Sequence, residues 1–186
     1  MKTRVESDLI GSMEVPADVL YGVQTLRGLE NFPISCFKLS DYPLFINGLA
    51  MTKLAAAEAN HSLGLLTDVQ YEAIAQACKE ILDGQYHDQF PVDLIQGGAG
   101  TTTNMNANEV IANRALQIMG YPLGKYKYCS PNDHINCSQS TNDAYPTAIH
   151  LGLYATHLEF MKHLEPLIKS FEAKAEEVAG ILKMGR

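Results

Sequence analysis

Two short segments of this chain carry the residue types and spacing most suited to chemistry. Residues 97–104 read GGAGTTTN, and residues 138–143 read SQSTND. Each places hydroxyl and amide side chains at the start of a predicted helix, where unpaired backbone N–H groups and the positive end of the helix dipole attract anions. Glycines let a ligand approach the backbone closely. Two such helix starts facing each other would suit a small dicarboxylate.

A purely structural interpretation competes with this one at each segment. Serine, threonine, asparagine and aspartate before a helix are most often caps, and a glycine-rich stretch is most often only a turn. Neither segment is a phosphate-binding loop, because no Gly-Lys-Ser/Thr follows Gly97 and no strand leads into a Gly-x-Gly-x-x-Gly helix start. Taken alone, these residues support a small-anion site and no assembled catalytic triad.

Other reactive side chains form no convincing site. Cys129, His134 and Cys137 are near one another in the chain, but they lack a fourth ligand and match no usual zinc spacing, so no metal is predicted. His134 follows Asp133 in a turn, and we interpret it as a local hydrogen-bond partner rather than as half of an acid–base pair.

The elements that must position the two segments are predicted to be helices. Turn residues throughout the first 42 positions predict loops, turns and at most a brief strand. Residues 44–63, 67–82 and 102–119 follow a helical pattern, and Thr67 with Gln70 forms a capping-box sequence. The fold class is therefore all-α, with an irregular N-terminal region and a small helical domain.

One further helix is predicted over residues 141–182, and it is too long for the rest of the chain. Its apolar residues recur every three or four positions, the spacing of a helix-bundle seam. A helix of about 40 residues is ~60 Å long, whereas a compact chain of this length is roughly 40 Å across. We therefore expect residues 1–140 to form one domain and residues 141–186 to be the first long helix of a larger bundle, in a truncated chain.

Composition excludes several classes of partner. Of 186 residues, 14 are Lys or Arg and 21 are Asp or Glu, which gives a formal net charge of −7 and argues against nucleic acid or an anionic membrane surface. No stretch approaches the ~18 apolar residues of a membrane span. The four cysteines are not paired by spacing, and no apolar run follows the N-terminal charges. A cytoplasmic protein is predicted.

The same two segments resemble the aspartase/fumarase superfamily, and within it the aspartate ammonia-lyases. The resemblance covers residues 6–186 and rests on four strings: QGGAGTTTNMNANEVIANRAL from Gln96, PNDHINCSQSTNDAYPTA from Pro131, DQFPVD from Asp88 and GSMEVPADVLYGVQTLRGLENFPIS from Gly11. Fumarases typically have Gly-Ser-Gly-Thr, Ser-Ser-Asn-Asp and His-Pro-Asn-Asp where this chain has GAGT, STND and SPND, and Thr-Phe-Pro where it has Ala-Tyr-Pro. All four differences favour an aspartase over the alternative, a class II fumarase.

The resemblance implies a reaction and the residues that serve it. Thr101, Ser140 and Thr141 match positions that bind the β-carboxylate of L-aspartate, and Asn142 matches a position near its α-amino group. The implied reaction is the reversible anti-elimination of ammonia to give fumarate, in a homotetramer whose long helices form a central bundle. The resemblance implies no redox cofactor and no essential metal.

One family motif is missing from the sequence. The catalytic serine of the family lies in a Gly-Ser-Ser-x-Met-Pro-x-Lys-x-Asn loop, and no such string occurs here. We therefore assign no catalytic residue and expect the 186-residue chain to be inactive alone. A non-catalytic helical module that serves assembly is the remaining alternative.

Overall fold

The computed structural model describes residues 2–185 and begins with an antiparallel β-hairpin. Strand β1 (Thr3–Ser7) pairs with β2 (Ser12–Pro16), with Val5 opposite Glu14. The loop residue Asp8 accepts hydrogen bonds from Arg27 Nε at 2.9 Å and from an Arg27 terminal nitrogen at 3.0 Å. This two-pronged ion pair, which holds the pKa of Asp8 below its usual range, attaches the hairpin to the helix that follows.

That helix, α1 (Val23–Asn31), corrects the expectation of loops and turns over the first 42 residues. Gly22, which directly precedes the helix at the N-cap position, has no side chain to cap it, and carboxylates distant in sequence serve instead. Glu6 accepts from Val23 N–H at 3.1 Å, while Glu109 accepts from the N–H groups of Gln24 and Thr25 at 2.8 and 3.0 Å. Because these caps come from residues far away in sequence, no local pattern predicts them.

Three of the predicted helices are confirmed to within two residues at each end. They are α2 (Pro43–Ser62), α3 (Asp68–Leu82) and α4 (Thr101–Ile118). The predicted capping box forms: Thr67 Oγ1 accepts from Gln70 N–H at 3.3 Å, and Gln70 Oε1 accepts from Thr67 N–H at 3.1 Å. These helices enclose the core, whose fully buried members include Ile46, Leu49, Ile74, Ile81, Ile111 and Leu116.

The long helix α5 (Thr141–Val178) is also present, and it ends four residues earlier than predicted. Its buried residues are Ala144, Ala148 and Gly152, all in the first third of the helix. There α5 packs against α2 so closely that a Cβ on Gly48 would lie 2.3 Å from the carbonyl oxygen of Ala148. The division of the chain at residue 140 stays a prediction.

Beyond Gly152 no residue of α5 is buried within residues 2–185. Tyr154 is 64% exposed and Phe171 is 70% exposed. The all-α fold class is confirmed, with one two-stranded hairpin as its only sheet in the described part of the chain. None of the helices in this part is both long enough and apolar enough to cross a membrane.

Candidate functional site

The two polar segments meet at one cleft, of about 390 Å³, between the turn before α4 and the first turns of α5. Its lining residues come from the loop before α4 and from the first turns of α5: Leu94, Ile95, Gln96, Gly98, Ala99, Gly100, Asn142, Tyr145, Pro146 and Ile149. Gly100 makes this contact possible, because its φ is +92° and a Cβ there would lie 2.2 Å from the Tyr145 ring. The glycines thus serve close packing as well as access.

The start of α4 is capped by a side chain that sequence reasoning missed. Gln96 Oε1 accepts from Thr103 N–H at 2.9 Å, and Gln96 Nε2 donates to Thr103 Oγ1 at 2.5 Å. Thr101, the first residue of the helix, is exposed, and its hydroxyl makes no hydrogen bond within residues 2–185. Its side chain is therefore not used as a cap.

The start of α5 is capped by Ser140. Its Oγ accepts from Asn142 N–H at 3.1 Å, and its own N–H donates to Asp143 Oδ2 at 3.0 Å. The interpretation of Ser140 as a helix cap is thus correct, but capping does not use all of the hydrogen-bonding capacity of its side chain. A hydroxyl that accepts one hydrogen bond through its oxygen still has a proton to donate.

A buried polar cluster joins the loop before α5 to helices α2 and α4. We name it the Lys53 network; its members are Lys53, Asn104, Asn108, Asn136 and Gln139. Lys53 Nζ donates to Asn136 Oδ1 and to Gln139 Oε1, both at 2.9 Å. Asn136 Oδ1 also accepts from Asn104 Nδ2 at 3.0 Å and from Asn108 Nδ2 at 3.2 Å. Asn104 Nδ2 donates in addition to Thr141 Oγ1 at 3.1 Å.

The lysine of this network is unusual because it is 1% exposed and its hydrogen-bond acceptors are neutral amides. Burial lowers the pKa of Lys53 to about 7, and the charge of Asp143 opposes that shift only in part. Sequence reasoning missed the network. Its detectable signals were a lysine within the Ala-rich α2 and the run of Asn104, Asn106 and Asn108 inside α4, since asparagine is a poor helix-interior residue.

The four predicted site residues all lie at the two helix starts. Asn142 lines the cleft, and Thr141 contacts α4 through Asn104. Thr101 and Ser140 flank them, but no hydrogen bond joins Thr101 to Ser140, Thr141 or Asn142 in the described residues.

His134 and the neighbouring cysteines lie apart from this arrangement. His134 Nδ1 accepts from Ser130 N–H at 2.8 Å, as expected of a local hydrogen-bond partner. Within residues 2–185, no three His, Cys, Asp or Glu side chains are grouped so as to hold a metal ion.

Comparison with known proteins places the chain among the lyases. The family model described as Lyase matches residues 11–186. The aspartate ammonia-lyase of Pseudomonas aeruginosa is 56% identical over 184 residues, which are 99% of this chain and 39% of that protein. The aspartate ammonia-lyase of Escherichia coli is 52% identical over 98% of this chain and 38% of that protein. The chain therefore spans less than two fifths of the length of these relatives.

Solved structures agree with the sequence comparison. The crystal structure of fumarate lyase:delta crystallin from Brucella melitensis matches 100% of this chain and 40% of that one, with a TM-score of 0.96 and 50% identity. A class II fumarase from Schistosoma mansoni matches 81% of this chain and 32% of that one, with a TM-score of 0.75 and 39% identity. The chain belongs to the Lyase family, in the aspartase/fumarase superfamily, and is similar to aspartate ammonia-lyases over nearly its whole length.

Proposed function

We propose that this chain is part of an aspartate ammonia-lyase and supplies the half of its active site that binds the β-carboxylate of L-aspartate. The observation that carries the proposal is the meeting of two polar helix starts at one cleft, in a chain 52–56% identical to aspartate ammonia-lyases. Thr101, Ser140 and Thr141 donate hydrogen bonds to the β-carboxylate. Asn142 contacts the α-amino group.

Charge development explains what this half-site does for the rate. Removal of a proton from the carbon beside the β-carboxylate creates an aci-carboxylate, which carries a second negative charge on the same oxygens. Fixed hydroxyl donors and helix N-termini stabilise this charge more than they stabilise the ground state, and only that difference accelerates the reaction. Ammonia then leaves from the neighbouring carbon, on the opposite face, to give fumarate.

The rest of the site comes from outside these 186 residues. No residue of the chain matches the family's serine base or the lysine and asparagine that hold the α-carboxylate, and we expect no turnover by this chain alone. The proposal includes a homotetramer in which the apolar side of α5 is covered by other long helices. It also places the lyase in the cytoplasm, where the four free thiols fit a reducing environment.

Fumarate formation by the whole lyase that contains this chain tests the proposal. Absorbance at 240 nm is followed after addition of L-aspartate or, in a parallel reaction, of L-malate. We expect fumarate from aspartate and none from malate. Activity on malate alone would identify a fumarase, which is the alternative function. The chain is also similar to the class II fumarase of Schistosoma mansoni. Activity on neither substrate would leave the assembly module as the explanation.

A further inference from the structure

The direction of every hydrogen bond in the Lys53 network is set by the chemistry of its members. A protonated Lys53 Nζ donates only, so the Asn136 atom that faces it at 2.9 Å is the amide oxygen. The other end of the same amide lies 3.1 Å from the carbonyl oxygen of Gln139, which accepts only, so that end is the NH2 group. The backbone carbonyl of Gln139 therefore fixes the orientation of Asn136 whether Lys53 is charged or neutral.

The orientation of Asn104 follows from that of Asn136. The Asn104 atom 3.0 Å from Asn136 Oδ1 must be a donor and is therefore Nδ2. The same nitrogen lies 3.1 Å from Thr141 Oγ1. Asn104 is 1% exposed, and its amide oxygen has no hydrogen-bond partner in the described residues. Exchanging the amide oxygen and nitrogen would therefore gain no hydrogen bond at that position.

The consequence for Thr141 is that its oxygen accepts from Asn104 and its proton is left for another acceptor. Within residues 2–185 Thr141 Oγ1 makes no other hydrogen bond, and the residue is half-buried directly before Asn142, which lines the cleft. We propose, on the basis of the proposed function, that Asn104 is a positioning residue of the lyase site. Asn104 orients the Thr141 hydroxyl so that it donates its hydrogen bond to the β-carboxylate of the substrate.

Helix α4 offers a matched control for this role. Asn108 lies one turn after Asn104, is fully buried and donates to the same Asn136 oxygen at 3.2 Å, but it makes no hydrogen bond with Thr141. Both asparagines also have an amide oxygen without a partner. Replacement by leucine removes the amide and keeps most of the volume, so Asn104→Leu and Asn108→Leu carry similar structural costs. They differ in their effect on Thr141.

Steady-state kinetics of a double-mutant cycle in the whole lyase test the proposal. Asn104→Leu is expected to lower kcat for aspartate about tenfold with a smaller change in KM, because the directed proton matters most for the charge that develops in the transition state. In a Thr141→Val background the same substitution is expected to lower kcat less than twofold, since no hydroxyl remains to be oriented. Asn108→Leu is expected to change kcat less than twofold in either background.

Three outcomes would overturn the role of Asn104. The first is an equal loss from Asn104→Leu with and without the Thr141 hydroxyl, the second an equal loss from Asn108→Leu, and the third an unchanged kcat in Asn104→Leu. If Asn104→Leu does not fold, Asn104→Ala is put through the same cycle and judged by the same non-additivity. Absence of turnover in the unsubstituted lyase would instead overturn the proposed function, so the two failures are distinguishable.

Discussion

The Ser140 hydroxyl oxygen accepts a hydrogen bond from Asn142 N–H at 3.1 Å, and Thr141 Oγ1 accepts one from Asn104 at 3.1 Å. At both residues an acceptor lone pair is used, and the hydroxyl proton has no partner among the residues that the structure describes. Capping a helix and presenting a donor to a carboxylate are therefore compatible tasks for one side chain. Local sequence predicted these hydroxyls because they directly precede or begin a helix, but it could not predict what orients them. Asn104 lies 37 residues before Thr141, and only folding brings it to the Thr141 hydroxyl.

Lys53 leads to a prediction about stability and pH. Its pKa is about 7 in the folded chain against 10.5 for an ordinary lysine, so between these values the unfolded chain binds the extra proton. The free energy of unfolding should therefore rise with pH, by about 2 kcal/mol between pH 7 and 9. Above pH 9 the buried Cys78 thiol, whose pKa is raised to about 12, acts in the opposite direction.

Urea unfolding of the chain at pH 7 and pH 9, followed by circular dichroism, measures this effect. Lys53→Met should abolish the rise, because the buried amine that causes it is then absent. Lys79→Met, at an exposed position, should leave it unchanged. The same rise in all three proteins would show that another group is responsible.

At the scale of the elements, a helix start was predictable from the sequence where the capping residues lie in the same segment as the helix. Helix α3 is capped by Thr67 and Gln70 within its own segment, and its start was predicted correctly. Helix α1 is capped by Glu6 and Glu109, which are 17 and 84–87 residues from the groups they bind, and it was missed. Burial raises the pKa of the Glu109 carboxyl, and four hydrogen bonds to it, from three backbone N–H groups and the Thr25 hydroxyl, oppose that shift.

The turn before α4 gives a prediction at the same scale. Gly100→Ala combines a positive φ with a clash against the Tyr145 ring, whereas Gly120→Ala combines a similar φ of +80° with open space. We expect Gly120→Ala to cost about 1 kcal/mol of backbone strain. Gly100→Ala should cost at least about 2 kcal/mol more, because a packed side chain must move.

Thermal unfolding of both variants measures the difference. Equal losses of stability in the two variants would mean that the Tyr145 ring moves aside at little cost. The contact between Gly100 and Tyr145 would then not fix the two helix starts relative to each other.

At the scale of the whole molecule, α5 is the feature that exceeds the chain around it. At 38 residues it is roughly 57 Å long, and its buried residues all lie in its first third. The apolar spacing predicted its length to within four residues, and its need for partners stays a prediction. It could not predict that the first third would be covered by α2, because that contact depends on Gly48 and Gly152, which periodicity does not distinguish from other small residues.

The exposed side of α5 gives a prediction about assembly. In the whole lyase, Phe171→Glu places a charge where an apolar side chain is 70% exposed in this chain, and we expect it to shift the proposed tetramer to smaller species. Lys169→Glu, on the same stretch of helix, is the control and should not. Light scattering after size-exclusion chromatography gives the masses. An intact tetramer in Phe171→Glu would mean that this side of α5 is not the assembly surface.

At the two helix starts, the proposed task is to bind the β-carboxylate and its developing charge. The most direct measurement is kcat/KM for L-aspartate in the whole lyase carrying Thr101→Val or Ser140→Ala, with the mass of each variant determined alongside. We expect a loss of about 100-fold or more in each variant while the proposed tetramer stays intact. Unchanged turnover, or a loss that appears only together with dissociation, would contradict it.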